Sequence, residues 1–310
     1  MPIHLPEHFI ILPSVASALR EGQPVVALES AVITHGLPRP VNWETATTMQ
    51  ELIRSEGAVP ATIAVLDGQV HIGLSDTELE RLASLESTRK ISRRDFGYAI
   101  ATRQSGGTTV AGTMVAASMA GIKVFATGGI GGVHRGAPFD VSADLFELGR
   151  TPMVVVCAGA KAILDLHATL EVLETNSVMV VGYRTNDLPA FYSATSGIRL
   201  DARLDTPEDI ATTASAQWEM GIQSALLILQ PIPEEDAIPV AEIEVLIEAA
   251  VEEARAKGIH GPASTPFLLE QVTALTGGKS MAANLALLKN NALLAAKIAV
   301  AFAPKSGKLI

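Results

Sequence analysis

Short, continuous apolar runs alternate with longer segments of helical period, and this alternation constrains the fold most strongly. The runs predicted to be buried strands lie at 24–30, 122–128, 153–159, 178–184 and 224–230. Helices are predicted at 42–57, 76–86, 109–120, 141–149, 161–174, 207–220, 240–257, 265–276 and 281–302. Continuous apolar strands separated by helices are typical of a parallel sheet covered on both faces. The sequence therefore predicts an α/β fold, a single-domain α/β/α sandwich over residues 1–310 with a mostly parallel central sheet and a helical C-terminal segment.

Composition and charge narrow the classes of protein to which the chain can belong. Of its 310 residues, 48% are apolar and 18% are charged, which suits a large and well-packed core. The formal net charge of −10 argues against a nucleic-acid surface built on broad basic attraction, although a local group of donors can still bind a small anion. A single cysteine, Cys157, excludes an intramolecular disulfide and a multi-cysteine metal site.

The same features bear on where the protein acts. The first 22 residues carry Glu7 and two early prolines and lack the basic-then-apolar order of a signal peptide. No apolar run reaches the roughly 18 to 20 residues of a membrane span, and the last predicted helix carries Lys289 and Lys297. One cysteine suits a reducing compartment. We therefore expect a cytoplasmic protein with neither a membrane nor a nucleic acid as its partner.

Polar and glycine-rich segments follow several of the predicted strands. In open α/β sheets, ligands bind at the carboxyl ends of the strands. Glu29, the loop 127–136, Lys161 and Arg184 all lie at or just beyond such ends. The loop does not complete a dinucleotide fingerprint, because His134 occupies a required glycine position. Its glycines indicate either tight turns or a close backbone approach to an anion.

Two further segments suggest a phosphate site and a cation site. The stretch KISRRD at 90–95 groups three cations, and SGGTTVAGT at 105–113 precedes a predicted helix whose first amides suit phosphate. A solvated charged face explains the cations equally well. In FDVSADL, Asp140 and Asp144 would share one face of a helix and suit Mg²⁺ or Mn²⁺, while Ser142 would alternatively cap that helix.

Lys161 is the last residue of the stretch CAGAK at 157–161, just beyond the predicted buried strand 153–159. A charged side chain so close to a buried strand requires a physical explanation. Either its stem carries the amine out to water, or the amine acts as a nucleophile. The small residues at 158–160 leave room for a ligand, and a helix beginning at Lys161 would disfavour the ammonium form. As a nucleophile the amine would attack a sugar aldehyde, with Glu29 shuttling protons. The spacing alone leaves both interpretations open.

Six stretches, taken together, carry a resemblance to a known family. They are ALESAVITHGLPRP at 27–40, KISRRD at 90–95, GGTTVAGTM at 106–114, FATGGIGGVHRG at 125–136, FDVSADL at 139–145 and VVCAGAKAILD at 155–165. Together they resemble the pseudouridine-5′-phosphate glycosidase family, which includes indigoidine synthase A-like proteins, over essentially the whole chain. The resemblance implies an enzyme that reversibly cleaves the C–C glycosidic bond of pseudouridine 5′-phosphate, giving uracil and ribose 5-phosphate.

The resemblance also implies roles for individual residues. Lys161 would be the nucleophile that forms an imine with C1 of the sugar, and Glu29 would be the proton donor. Asp140 would hold one divalent metal ion per subunit, Mn²⁺ with Mg²⁺ not excluded, and the protein would be a homotrimer. The residues that would contact the substrate are Lys90, Val110 (through its backbone), Thr127, His134, Ser142, Ala143, Asp144 and Asn284.

Two other functions fit the same residues. Another imine-forming phosphosugar lyase or aldolase would trap a sugar on Lys161 without needing uracil. A non-catalytic phosphosugar-binding protein would keep the phosphate cluster and tolerate Lys161→Ala. The sequence indicates neither the physiological direction of the reaction nor the group that delivers a proton to C5 of uracil.

Overall fold

A computed structural model describes residues 5–259, 261 and 264–303, so both ends of the predicted 1–310 domain extend beyond the described residues. The strands are β1 (Phe9–Ile11), β2 (Val25–Leu28), β3 (Val59–Leu66), β4 (Gln69–Ile72), β5 (Arg89–Ile91), β6 (Gly106–Thr108), β7 (Val124–Ala126), β8 (Val133–His134), β9 (Ala137–Val141), β10 (Val154–Cys157), β11 (Leu164–Asp165), β12 (Met179–Tyr183), β13 (Arg203–Leu204) and β14 (Leu226–Leu229). The α-helices are α1 (Pro13–Arg20), α2 (Val41–Ser55), α3 (Asp76–Ser84), α4 (Phe96–Ala101), α5 (Val110–Met119), α6 (Ala143–Leu148), α7 (Leu166–Thr175), α8 (Pro207–Glu219), α9 (Val240–Ala256), α10 (Ser264–Leu275) and α11 (Lys279–Phe302).

The central sheet has the strand order β1-β4-β3-β2-β7-β10-β14-β12-β13. Every neighbouring pair along this path is parallel except β3 with β4, which form a hairpin. All residues of β2, β7, β10 and β14 are buried, as expected for strands covered on both faces. The predicted α/β sandwich with a mostly parallel sheet is therefore confirmed.

The last helix, α11, forms a large part of the core. It packs against α2 and α8 and over β2, β7 and β10. Among the described helices it is the one with enough length and apolar character to cross a membrane, yet half of its most apolar window is buried inside the protein. The burial of α11 in the core therefore explains its apolar composition. One apolar core extends from Val15 to Ala299, in keeping with a single domain, which stays a prediction.

Local signals were confirmed in some places and wrong in others. The Asp67-Gly68 pair predicts a tight hairpin turn, and both residues have positive φ angles between β3 and β4. Ser75 and Glu78 have the spacing of a capping box, and they form one at the start of α3. The helical spacing of Trp43 with Ala46 and Met49 predicts that Trp43 lies on the buried stripe of α2, but Trp43 is 40% exposed. Its neighbour Asn42 turns inward because its amide donates hydrogen bonds to the carbonyl groups of Ile33 and Ala83. The buried face of α2 therefore includes Asn42, and Trp43 lies outside it.

Candidate active site

The sheet register places the candidate acid beside a threonine on the next strand. Leu28 at the end of β2 pairs with Ala126 at the end of β7, so the following residues, Glu29 and Thr127, are adjacent. The Thr127 hydroxyl donates a hydrogen bond to the Glu29 carboxyl group, and both side chains are buried. Burial raises the pKa of Glu29, and the nearby Lys161 and the Thr127 hydrogen bond offset this only in part. Glu29 is thus suited to hold a proton that an ordinary carboxyl group would have lost.

Lys161 lies in a turn, and the expectation that a helix begins there is wrong. The helix α7 begins at Leu166, where the Asp165 side chain accepts a hydrogen bond from the Ala168 amide. The intervening turn is held by Arg135, whose guanidinium donates hydrogen bonds to the carbonyl groups of Ala162 and Leu164. The N-terminus of α7 therefore does not lie at Lys161. Its backbone amide donates to the Ile130 carbonyl instead, which ties it to the glycine-rich loop.

A cavity of about 620 Å³ brings most of the predicted site residues together. Its walls come from the ends of β2, β5 and β10, the start of α5, and the segment from β8 to α6. The predicted residues that line it are Glu29, Lys90, Val110, His134, Asp140, Ser142, Ala143, Asp144 and Lys161. Thr127 does not line it and acts on it only through Glu29. The geometry thus unites residues that are far apart in the sequence, while their roles stay predictions.

A second, narrower space adjoins this cavity and contains the remaining predicted residue, Asn284. The two spaces share the walls formed by Glu29, Lys90, Lys161 and Thr265. The rest of the narrow space, called the slot below, is largely apolar and is lined in part by Gly128, Gly129, Phe191, Pro266, Leu269 and Leu288. The slot is thus a largely apolar recess beside the polar cavity.

The three basic side chains of KISRRD do not all face the cavity: one forms an ion pair inside the protein, and two line the cavity. Arg93 forms a double hydrogen bond with the fully buried carboxylate of Glu147, which removes it from the predicted phosphate cluster. Arg94 and Lys90 line the cavity. Burial and the charge of Lys161 lower the pKa of Lys90. Ser92 also lines the cavity, but its hydroxyl group is buried and has no hydrogen-bond partner among the described residues.

Asp140 and Asp144 do not share a helix face, contrary to the expectation from their spacing. Ser142 caps α6 by accepting a hydrogen bond from the Asp144 amide, so Asp140 remains on β9. The Asp144 carboxylate accepts hydrogen bonds from the backbone amides of Ala111 and Gly131, at 2.9 and 2.8 Å. It therefore fixes the start of α5 to the glycine-rich loop.

The glycines of this loop are explained by contacts within the protein. A Cβ atom on Gly131 would collide with Ser142 and Asp144, and one on Gly132 would collide with Thr169. A Cβ on Gly129 would lie 2.6 Å from the Phe191 ring. The close backbone approach inferred from sequence is thus to protein atoms, and these contacts give no support to an anion there.

The acidic groups of the cavity include one carboxylate suited to a hard cation. Asp140 lines the cavity, as does His134. Burial lowers the pKa of His134, the charge of Asp140 opposes this, and Lys90 and Lys161 add to the lowering. Within residues 5–259, 261 and 264–303, no group of three or more His, Cys, Asp or Glu side chains is placed to hold a metal ion together.

Some residues of the site were not singled out from the sequence. His35 lies in a π-helical turn, Val32–Gly36, and lines the slot. Its Nε2 is 3.2 Å from the Thr88 carbonyl, which can only accept, so Nε2 donates and Nδ1 accepts from the Thr34 hydroxyl at 2.7 Å. Burial and the charge of Lys90 lower the pKa of His35, in agreement with this neutral form. Arg184, by contrast, lies outside the cavity and donates a hydrogen bond to the Asp205 carbonyl.

Comparison with known proteins gives the family. Residues 14–301 match the model of the indigoidine synthase A-like protein family. The chain belongs to this family. Among its indigoidine synthase A-like relatives, two proteins named pseudouridine-5′-phosphate glycosidase, from Solibacter usitatus and Geobacillus kaustophilus, are 53% and 52% identical to it. Each alignment covers 94% of this chain and 98% of the relative.

Two solved structures of similar proteins share the fold. The prealnumycin C-glycosynthase AlnA, crystallised in complex with ribulose 5-phosphate, is 40% identical with a TM-score of 0.89. An indigoidine synthase A-like protein from Thermotoga maritima is 38% identical with a TM-score of 0.87. Both alignments cover 96% of this chain and 98% of the neighbour.

Proposed function

We propose that the protein reversibly cleaves the C–C glycosidic bond of pseudouridine 5′-phosphate, giving uracil and ribose 5-phosphate. The observation that carries this proposal is the convergence of Lys161 and the buried, hydroxyl-bonded Glu29 on one cavity that also contains Lys90. A C–C glycosidic bond offers no heteroatom to protonate at the leaving group, so a pair of carboxylates is a poor fit. A lysine amine that forms an iminium can accept the bonding electrons.

The phosphate of the substrate would bind where Lys90, Ser92 and Arg94 meet the start of α5. Two of the first amides of this helix are already used, because Ala111 donates to Asp144 and Gly112 donates to Thr109. Among the described residues, the Val110 amide has no acceptor. An amide at a helix N-terminus suits an anionic oxygen. This supports the proposal that Val110 binds through its backbone.

Chemistry would begin at C1 of the ribose. The Lys161 amine adds to C1 while the bond from C1 to the ring oxygen breaks, and Glu29 donates its proton to that oxygen. Because burial raises the pKa of Glu29, it holds this proton at neutral pH more readily than an exposed carboxyl group. The product of this step is an open-chain sugar joined through C1 to both the lysine nitrogen and uracil C5.

The C–C bond would then break with the nitrogen as electron donor. The ammonium nitrogen of this adduct first returns a proton to the Glu29 carboxylate, which restores the nitrogen lone pair. A proton is then added to uracil C5, the bond from C1 to C5 cleaves, and the nitrogen lone pair forms the iminium with C1. Uracil leaves, and water hydrolyses the iminium to release ribose 5-phosphate, the free amine and one proton, which balances the proton added to C5. One water is consumed in total, and each step runs in reverse for synthesis.

The site residues would hold a divalent cation through Asp140. A single carboxylate with water molecules as the other ligands fits a hard cation such as Mn²⁺ or Mg²⁺, and it agrees with the lack of a three-residue cluster in the described chain. The ion would supply positive charge close to the anionic substrate. Asp140 would orient it, and the neutral form of His134 would avoid repelling it.

The protein would act as a cytoplasmic homotrimer. Phe139, next to Asp140 on β9, is 99% exposed, and Phe146 on α6 is 54% exposed. Exposed aromatic side chains of this kind favour a surface that a neighbouring subunit covers. Light scattering coupled to size-exclusion chromatography tests the trimer, and a monomer mass would contradict it.

Incubation of the protein with ribose 5-phosphate, uracil and MnCl₂ tests the function. We expect mass spectrometry to detect a C-glycoside that survives acid hydrolysis of N-glycosides. A borohydride-trapped sugar on Lys161 without any requirement for uracil would indicate a phosphosugar lyase instead. Ribose 5-phosphate binding with neither product nor trapped adduct would indicate a binding protein.

A further inference from the structure

Asn291 on α11 reaches the strand end that carries Thr127. It is 1% exposed, and its side-chain amide donates hydrogen bonds to the carbonyl oxygens of Thr127, at 2.9 Å, and Gly128, at 3.4 Å. Asn284, Leu288 and Asn291 are spaced to lie on one face of α11, and the first two line the slot. Asn291 therefore continues the slot-facing side of the helix toward the sheet.

The orientation of the Asn291 amide follows from its partners. Both contacts are carbonyl oxygens, which can only accept, so the NH₂ group must face them. The Asn291 side-chain oxygen is then buried with no partner among the described residues. Leaving a buried acceptor unpaired costs free energy, so an apolar side chain would serve better if this position only filled space. The NH₂ contacts to the loop are what the asparagine contributes.

These contacts act on Glu29 through Thr127. The Thr127 backbone is fixed on one side by its own amide, which donates to the Val156 carbonyl at 3.0 Å, and on the other by Asn291. Its hydroxyl group, aimed by this backbone, donates to the Glu29 carboxyl group. Hence the position of the hydroxyl depends on a helix that is distant in the sequence.

We propose that Asn291 is a positioning residue for the proton donor, which fixes the Thr127 backbone so that the Thr127 hydroxyl holds Glu29 in its reactive orientation. This inference rests on the proposed function in assigning the proton transfer to Glu29. Asn291 touches neither Glu29 nor the sugar cavity among the contacts described, so its effect on the reaction is indirect.

The charged groups around Glu29 determine what loss of this support does. Lys161 and Lys90 favour the carboxylate, Asp144 disfavours it, and α11 presents only the neutral Asn284 and Leu288 to the slot. The Thr127 hydrogen bond also favours the carboxylate. Removing Asn291 loosens that bond, and the pKa of Glu29 then rises further above its ordinary value.

The test compares Asn291→Leu, Thr127→Val and the double variant. Leucine has the same branched shape and the same number of side-chain heavy atoms as asparagine, and it lacks the hydrogen-bonding groups. We expect Asn291→Leu to lower kcat about tenfold with KM for pseudouridine 5′-phosphate within about twofold, since small misplacements of a reacting group cost this much. In the Thr127→Val background, Asn291→Leu should not lower kcat further, because the hydrogen bond from the Thr127 hydroxyl to Glu29 is already absent. Asn290→Leu, on the same helix, is the matched control and should leave kcat unchanged.

A second readout does not depend on turnover. The titration of the Glu29 carboxyl group is followed by carbon NMR with labelled glutamate and assigned with Glu29→Gln. Its midpoint should move to higher pH in Asn291→Leu and in Thr127→Val, and no further in the double variant. The proposal would be overturned if the Glu29 midpoint were the same in Asn291→Leu as in the parent protein. It would also be overturned if Asn291→Leu lowered kcat equally in the parent and in the Thr127→Val background, or if it changed only KM. If the parent protein fails to cleave pseudouridine 5′-phosphate while the midpoint still moves, the proposed function fails and the positioning role stands.

Discussion

Thr127 donates a hydrogen bond to Glu29 from the end of the neighbouring parallel strand. The contact exists because β2 and β7 run in register up to Leu28 and Ala126, so the first residue beyond each strand faces the other. Burial then favours the protonated carboxyl group, while the hydroxyl holds it in one orientation. The proposed proton donor and the hydroxyl group that holds it therefore come from the ends of two adjacent strands.

The raised pKa of Glu29 predicts a pH dependence of kcat. Glu29 must be protonated to donate, so the rate falls as pH rises through its pKa, which lies above the ordinary carboxyl value. Glu29→Gln should lower kcat by about a hundredfold or more, which is the usual contribution of a general acid. The residual rate should lack this alkaline limb. An identical limb in Glu29→Gln would assign it to another group.

Arg94 is predicted to bind the phosphate. Arg89 and Arg93 are engaged by Asp95 and Glu147, whereas Arg94 lines the cavity with only a 4.0 Å contact to Asp95. Arg94→Ala should raise KM for ribose 5-phosphate about threefold, with a smaller change in kcat, because the Arg94 side chain is 83% exposed and water screens its interaction with the phosphate. Arg20→Ala, an exposed change on α1, is the control. A lower kcat at unchanged KM would contradict the assignment.

Asp140 is predicted to hold the divalent cation. Asp140→Asn should raise the Mn²⁺ concentration needed for half-maximal activity at least tenfold, because the only carboxylate proposed as a ligand loses its charge. Electron paramagnetic resonance of free Mn²⁺ measures the same loss of binding without turnover. Asp201→Asn, at an exposed position, provides the control. Equal Mn²⁺ binding by Asp140→Asn and the parent protein would exclude Asp140 as a ligand.

Glu147 is predicted to stabilise the fold and the wall of the site. Burial opposes its ionisation, but hydrogen bonds from Arg93, Thr151 and Arg150 outweigh burial and lower its pKa. Glu147→Gln should therefore cost about 3 kcal/mol of unfolding free energy at neutral pH. A lowered pKa stabilises the fold above the unfolded-state value near 4.3, and this is lost as pH falls through the lower folded value.

Chemical denaturation of Glu147→Gln at several pH values measures this loss. The difference from the parent protein should begin to shrink below about pH 4, where Glu147 of the unfolded chain becomes protonated, and should level off once pH falls below the lower pKa of folded Glu147. Glu171→Gln, on the exposed side of α7, should differ little from the parent protein at any pH. A difference for Glu147→Gln that does not depend on pH would contradict an ionised Glu147.

The sequence predicted the parts of the site that strands determine. Continuous apolar runs located the buried strands, and the general location of ligands at strand ends then singled out Glu29 and Lys161. The turn after Lys161 was predicted as a helix because its geometry depends on Arg135, which lies on a different strand connection. No local pattern encodes such a contact.

The hydrogen-bond partners of Arg93 and Asn291 could not be predicted from the sequence for the same reason. Arg93 meets a carboxylate 54 positions along the chain, and Asn291 meets carbonyl groups more than 160 positions away. A single polar residue in an apolar helix, and one arginine among several, have no signature that separates structural from ligand-binding roles. Only the packing of α6 and α11 decides between them.

Borohydride reduction of the protein with ribose 5-phosphate, followed by peptide mass spectrometry, tests the central claim most directly. We predict a reduced pentose-phosphate adduct on Lys161, absent from Lys161→Ala, together with a loss of cleavage by several orders of magnitude in that variant. Lys297→Ala, at an exposed lysine of α11, should retain both the adduct and the activity. Normal turnover in Lys161→Ala, or an adduct on another lysine, would contradict the account.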